Sequence, residues 1–360
     1  MTTLHDRLVA AGAQFDAVTP SIPWSFGNEA AAQAALETGA VICDRTHWDK
    51  LQITGEDAKQ FLHNQTTNAI AALQPGQGCE TVFVNSTART LDLATVLCDQ
   101  AGLWLELSPG QAQPLAQWMD RYIFPMDRVA IADVSADYAL LTLMGPNAET
   151  VLADVVGDSD PAPPYSHRTI ARSDFSLRLV KSTGLDLPGY TLWVPVAQAA
   201  DLWDQLTAAG AVPMGDRLWQ TLRIRQGRPQ PGTELTDDYN PLEAGLWRAV
   251  SFTKGCYIGQ ETIARLNTYQ GVKQRLWQIN LPGPVAAETP ILVAGAKVGR
   301  VTSAIATEGG AIALGYVRTK AGGAGLTVQI GDLTGELVPA PYLSHDYYKP
   351  QPATSSKQGA

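Results

Sequence analysis

Apolar positions recur along the first three-quarters of the chain with two alternating periods. Residues 29–37 (EAAAQAALE) are strong helix formers. In LQITGEDAKQFLHNQ the period changes at Gly55. A short strand precedes it, and after it Ala58, Phe61 and Leu62 fall on one face of a helix. CETVFVNSTARTLDLATVLCD reads as two strands joined by the polar turn Asn85-Ser86-Thr87. Leu115, Trp118, Met119 and Tyr122 predict a helix over 112–122. YALLTLMGPNAETVLADVVG is a buried strand, a Gly-Pro break and a helix. The Pro-rich, polar stretch 157–168 predicts a loop or hinge. FSLRLVKSTGLDLPGYTLWVP predicts another hairpin, and Ala199, Leu202, Trp203 and Leu206 a helix over 199–206. Strands and helices mixed without regular parallel spacing favour the α+β class.

From about Leu276 the pattern changes. LWQINLPG, ILVAGAKVGRVTSA, AIALGYVRTK, GLTVQIG and LTGELVPAPY are short strands set apart by Gly-rich turns, which implies a small all-β barrel or sandwich over 276–348. KPQPATSSKQGA (349–360) is polar and predicts a disordered tail. No internal repeat is evident. A chain of 360 residues exceeds one ordinary core and predicts two or three domains.

Composition narrows the function classes. At 45% hydrophobic and 17% charged, the chain is globular in character. A net charge of −9 excludes a general nucleic-acid or acidic-membrane binder, so an anionic ligand would have to meet a local basic patch. No stretch approaches the roughly 20 apolar residues of a membrane span. The opening MTTLHDRLVAAGAQF lacks the apolar region of a signal peptide, and a cytoplasmic location is expected. Cys43, Cys79, Cys98 and Cys256 show neither a CxxC pair nor a metal-ligand spacing, which fits a reducing compartment and argues against a structural zinc.

The candidate chemistry lies in residues 216–275. From Arg217 to Arg275 there are nine Lys or Arg against five acids, a local excess of four positive charges inside an acidic protein. Such a cluster suits a carboxylate- or phosphate-bearing ligand; a solvated charged helix face fits it equally well. Cys256 lies in Lys254-Gly255-Cys256-Tyr257-Ile258-Gly259-Gln260-Glu261, and QETIARL after Gly259 predicts a helix start. A nearby ammonium and a helix N-terminus both favour thiolate, so Cys256 is a candidate reactive thiol; a buried, inert cysteine is the alternative. Glycines beside it permit close backbone approach to a ligand. Cys43, Cys79 and Cys98 lack such neighbours and read as core.

KGCYIGQE resembles the signature of the YgfZ-type folate-binding proteins, relatives of the glycine-cleavage T-protein (aminomethyltransferase). The longer text LTDDYNPLEAGLW…SFTKGCYIGQETIARLNTYQGVKQRLW is similar to the cyanobacterial and plastid branch of that family. GAVICDRTHWDKLQITGEDAKQFLHNQTTNAIAALQPGQ resembles the T-protein opening. The resemblance implies an α+β ring of two interlocking folate-binding domains over 1–275, plus the C-terminal β-barrel, around a central channel.

Carried over residue by residue, the likeness is incomplete. The T-protein hairpin pattern Gly-Gly-x-x-Asp-Asp falls on Ala88-Arg89-Thr90-Leu91-Asp92-Leu93, where only Asp92 remains; it is either a folate contact or a strand-end acid facing solvent. In the Thr-Gly-Glu segment, Thr183-Gly184-Leu185 places Leu where Glu would meet the pterin ring, and Asp186 beside it would point elsewhere along a strand. Arg223-Ile224-Arg225-Gln226-Gly227 has Arg225 in an acid's position, and Arg223 and Arg225 are expected clamps for the folate tail. These departures count against ordinary aminomethyl transfer and leave open whether the chain is an enzyme.

The resemblance therefore implies a tetrahydrofolate-binding accessory protein. It would support assembly or repair of iron–sulfur clusters in client enzymes, including those of tRNA modification, with no direct nucleic-acid or membrane contact. Cys256 would be the functional thiol and Lys254 its activator. Gly255, Tyr257, Gly259, Gln260 and Glu261 would shape the motif. A folate-dependent aminomethyl or methyl transferase or demethylase, and an interaction protein with a vestigial pocket, are the rival readings.

Overall fold

The structure is a computed structural model describing residues 2–16, 19–157 and 163–349. The expected hinge at 157–168 falls partly, and the tail at 349–360 almost wholly, outside the described residues.

The two halves of the body share one chain path. Val41–Asp44 joins a six-stranded sheet in the order His167–Ala171, Ser176–Val180, Gly189–Pro195, Tyr138–Met144, Val41–Asp44, Val212–Met214; only the last pair is parallel. The chain then crosses at 45–48 into a five-stranded antiparallel sheet, ordered Gly78–Val84, Thr90–Cys98, Leu103–Leu107, Asp49–Thr54, Ala130–Asp133. It returns to the first sheet at Tyr138. This weave is the interlocking that the family resemblance implies.

Each sheet buries one face under helices. Leu192, Leu141 and Ile42 meet Val151, Leu202 and Trp203 from helices Ala148–Val156 and Val196–Ala208. Leu51, Val96 and Leu105 meet Phe61, Leu62, Leu115 and Met119 from helices Ala58–Gln65 and Ala112–Asp120. Between the sheets, Leu97 and Trp104 of the second pack with Met144 and Trp193 of the first. These runs are apolar on both strand faces because both faces are covered.

The C-terminal strands, Gln274–Leu281 through Leu333–Val338, close into a six-stranded barrel. It fills its interior with Ile279, Ile291, Val301 and Leu337 and rests Leu314 and Tyr316 on Val82, Val84 and Leu93 of the body. After it, residues 339–349 run back across the body. Tyr342 N–H donates to the carbonyl of Gln226 at 2.9 Å and Ser344 N–H to that of Gly245 at 2.9 Å.

Two local expectations change. Residues 183–187 form a loop rather than a strand, because Thr183 Oγ1 turns inward to the backbone of Leu185 and Leu187. The polar stretch before the hairpin FSLRLVKSTGLDLPGYTLWVP ends at Ser166, and pairing with Val180 starts a strand at His167.

Candidate functional site

Helix Gln260–Thr268 begins where the sequence places it, after Gly259. Gly259 has φ +80, and a Cβ there would stand 3.0 Å from both Ala88 Cα and Asn85 O. Any side chain would push the motif away from the hairpin turn, so glycine fixes this contact. Ala88 itself has φ 63, a left-handed conformation at a position where the T-protein pattern has glycine.

Behind the motif, Tyr257 and Ile263 are buried with Ala88, Trp247 and Val272. Burying two such side chains contributes about 2–3 kcal/mol each, which anchors the loop from one side. Lys254 anchors it from the other. Its ammonium donates to the carbonyls of His63, Thr66 (2.7 Å) and Asn68 (2.8 Å) and lies 4.7 Å from the Tyr257 ring centre. The His63 carbonyl belongs to the last turn of helix Ala58–Gln65, where carbonyls lack intrahelical partners. Burial draws the Lys254 pKa down to about 7. The three acceptors match the three N–H donors of the charged form. The expected activator of Cys256 is thus turned toward the helix end, and geometry gives it the task of holding the loop.

Held on both sides, the loop exposes Cys256. Of the four unpaired cysteines it is the exposed one; Cys43 and Cys98 are buried and Cys79 is half-buried, with burial pushing Cys79 up to about 12. Cys256, Gly255 and Ile258 line a 450 Å³ cleft together with His63, Gln65 and Phe124. Gln260 Nε2 reaches the Gly255 carbonyl at 3.4 Å, and Glu261 is exposed in the first helical turn, where its charge suits the dipole. A smaller pocket of 180 Å³ beside His167, Lys181 and Tyr190 lies elsewhere and contains none of the motif.

The residues expected to hold folate are placed differently. Asp92 is fully buried rather than facing solvent, accepting from Ser108 N (3.0 Å) and Leu93 N (2.8 Å); burial raises its pKa to about 6. Arg223, expected as a clamp, is instead saturated. It donates to Gln220 Oε1 (3.0 Å), the Arg228 carbonyl (3.1 Å), Glu234 Oε2 (3.2 Å) and Ser303 Oγ (3.1 Å), tying the body to the barrel. Arg225 is half-buried and makes no hydrogen bond or ion pair among the described residues. Leu185 is buried and offers no polar edge. Asp186 stands 4.0 Å from Arg248, both well exposed.

Sequence reasoning missed a network in the interior. Arg45, at the crossing between sheets, is wholly buried against Trp48 (3.9 Å) and Trp219 (4.4 Å) and pairs with Glu106. Arg228 bonds Glu80 at 3.0 Å and Tyr342 Oη at 2.6 Å, and Tyr342 also donates to Glu80. In sequence these are isolated charges, and only the fold unites them. It also missed the cleft's polar side. Helical spacing puts Gln60, His63 and Asn64 opposite Ala58 and Leu62, but nothing in the sequence indicates that they meet residues 255–258.

Fold and site together define a T-protein-like scaffold carrying an exposed thiol loop. The family model described as the GCVT N-terminal domain matches residues 4–254, and the chain belongs to this aminomethyltransferase-like family. A chloroplastic protein of Arabidopsis thaliana, provisionally named as a transferase, is 39% identical over 336 residues, covering 92% of this chain and 77% of the relative. The aminomethyltransferase of Synechococcus elongatus is 31% identical over 362 residues, covering 96% and 95%. The glycine cleavage system aminomethyltransferase T of Bartonella henselae superposes with a TM-score of 0.84 at 21% identity, covering 96% and 98%, which establishes the shared fold.

Proposed function

We propose that this protein binds a tetrahydrofolate and supports assembly or repair of iron–sulfur clusters in client enzymes, tRNA-modifying ones among them, as a member of the YgfZ-like branch of its family. The observation that carries the proposal is the placement of Cys256: exposed, in a loop pinned by Lys254, Tyr257 and Gly259, on the wall of a 450 Å³ cleft. That loop is the KGCYIGQE text whose resemblance pointed to the branch. Aminomethyl transfer has less support. The pterin-facing Glu position is Leu185, and Asp92 gives both its oxygens to backbone N–H groups.

The folate part of the reading follows the family. Asp92 and Arg223, as folded, do not present free edges to a pterin or a glutamate tail. Arg225 is the one carried-over cation whose donors are uncommitted among the described residues. When bound, folate supplies a one-carbon carrier; this chain's own contribution is the positioned thiol. One cysteine cannot hold a cluster, and no group of three His, Cys, Asp or Glu stands together among the described residues. The partner is therefore a client or assembly protein that brings the other ligands. Four unpaired cysteines suit a reducing compartment such as the cytoplasm, and no described helix is long and apolar enough to cross a membrane.

Cells lacking the protein test the proposal. Activities of iron–sulfur enzymes, including a tRNA-modifying one, should fall and return with the wild-type chain, while the purified protein shows no aminomethyl transfer from glycine-derived donors. Normal cluster enzymes together with measurable transfer would establish the transferase reading instead.

A further inference from the structure

The cleft beside Cys256 has no formally charged lining residue, although the surrounding segment is rich in Lys and Arg. Lys254, the nearest cation in sequence, is turned away to its three carbonyls. What lines the cleft instead is a set of neutral hydrogen-bonding groups. Gln65 is 7% exposed, and its Oε1 is buried without a hydrogen-bond partner. That oxygen lacks a partner, and a ligand N–H reaching it from the cleft would satisfy it.

His63 adds a donor. Its Nδ1 accepts from Ala71 N–H at 3.2 Å, so the neutral ring carries its proton on Nε2. Burial, and then the neighbouring Lys254, hold its pKa below the ordinary value, which keeps the ring neutral. Gln60 Nε2 donates to Asn64 Oδ1 at 2.8 Å, leaving Gln60 Oε1 to accept and Asn64 Nδ2 to donate at the rim. Phe124, 67% exposed, stands over the cleft on a tight turn closed by Asp127, and Met126 on the same turn is 86% exposed. Large apolar side chains this bare, next to neutral hydrogen-bonding groups, match a partner that offers both peptide groups and an apolar side chain.

We infer that the Cys256 cleft is a docking groove for an extended, uncharged peptide segment of the partner protein. The segment's backbone N–H and C=O meet Gln65 and His63, and an apolar side chain rests on Phe124. This deepens the thiol reading given above and rests on it: the groove selects which protein segment is brought to Cys256. A nucleic acid fits less well, since no cation in the cleft neutralises a phosphate.

The test uses alkylation of Cys256 in the full chain by three probes: iodoacetyl-Gly-Phe-amide, iodoacetyl-Gly-Glu-amide and iodoacetamide. Rates are normalised to those with N-acetylcysteine, and the modified site is confirmed by mass spectrometry. The Phe probe should label with saturation kinetics, about tenfold faster than iodoacetamide at low concentration, and faster than the Glu probe. Phe124→Ser, at an exposed turn, should remove most of the Phe probe's advantage over iodoacetamide, and Gln65→Leu should reduce that advantage. Equal, unsaturated rates for all probes, an advantage indifferent to Phe124→Ser, or suppression by bulk tRNA would overturn the inference. No client enters this assay. Absent selectivity with client support still dependent on Cys256 would remove the groove and leave the proposed function standing.

Discussion

At the residue scale, a carboxylate without water is held by its hydrogen bonds and penalised by its burial. Asp92 accepts two backbone N–H groups, yet burial outweighs them and lifts its pKa to about 6. The unfolded chain titrates this group near its ordinary value, so between there and 6 the native state holds more protons and stability falls as pH rises. Asp92→Asn should therefore gain stability relative to wild type, on the order of 3 kcal/mol, between pH of about 4 and about 6.5, as read by urea unfolding. A constant gap across that range would mean that the carboxyl titrates normally. Lys254 poses the complementary question. If it holds the loop, Lys254→Met should cost about 1–3 kcal/mol and speed hydrogen exchange at 63–68 and 254–259. If it acts only through its charge, stability should stay unchanged and Cys256 alkylation near neutral pH should slow. The sequence displayed Cys256, its lysine and its glycines, but not the direction of the ammonium, which depends on a helix end 191 residues earlier.

Among the elements, those with clear periods were legible. The helices at Glu29–Thr38, Ala58–Gln65, Ala112–Asp120 and Val196–Ala208 fall within a few residues of their patterns, because alternating apolar faces reflect covered sheet and helix surfaces. The returning segment at 339–349 was not legible, since it has no period and its bonds reach back to Gln226 and Gly245. Its approach is built in: a Cβ on Gly227, which has φ +83, would stand 2.6 Å from Ala340 Cβ. Tyr342 then places its hydroxyl between Arg228 and Glu80, binding the segment to both the loop after helix Asp216–Gln226 and the five-stranded sheet. Tyr342→Phe should lose about 1–3 kcal/mol and release 339–349 to faster exchange before global unfolding. Unchanged protection there would show that the apolar contacts of Leu343 suffice.

For the whole molecule, the α+β class and the small barrel follow from local pattern, but the weave between sheets and the seat of the barrel do not. Arg223 illustrates why. In sequence it is a cation in a basic stretch, and in the fold it is a buried tie whose partner Glu234 also accepts from Thr302 (2.7 Å) and Ser303 (2.6 Å) of the barrel. Arg223→Ala should leave Glu234 buried and uncompensated, destabilising the protein by about 3–5 kcal/mol in a thermal or urea melt. Small destabilisation with weakened tetrahydrofolate binding would restore Arg223 as a ligand clamp. Cys256, by contrast, is exposed, so its removal leaves the fold intact. The most direct measurement is the activity of iron–sulfur enzymes in cells whose only copy of this protein is Cys256→Ala, alongside the variant's melting temperature. A functional role for the Cys256 thiol predicts unchanged melting and enzyme activities as low as in cells without the protein. Full restoration of those activities by Cys256→Ala would contradict it.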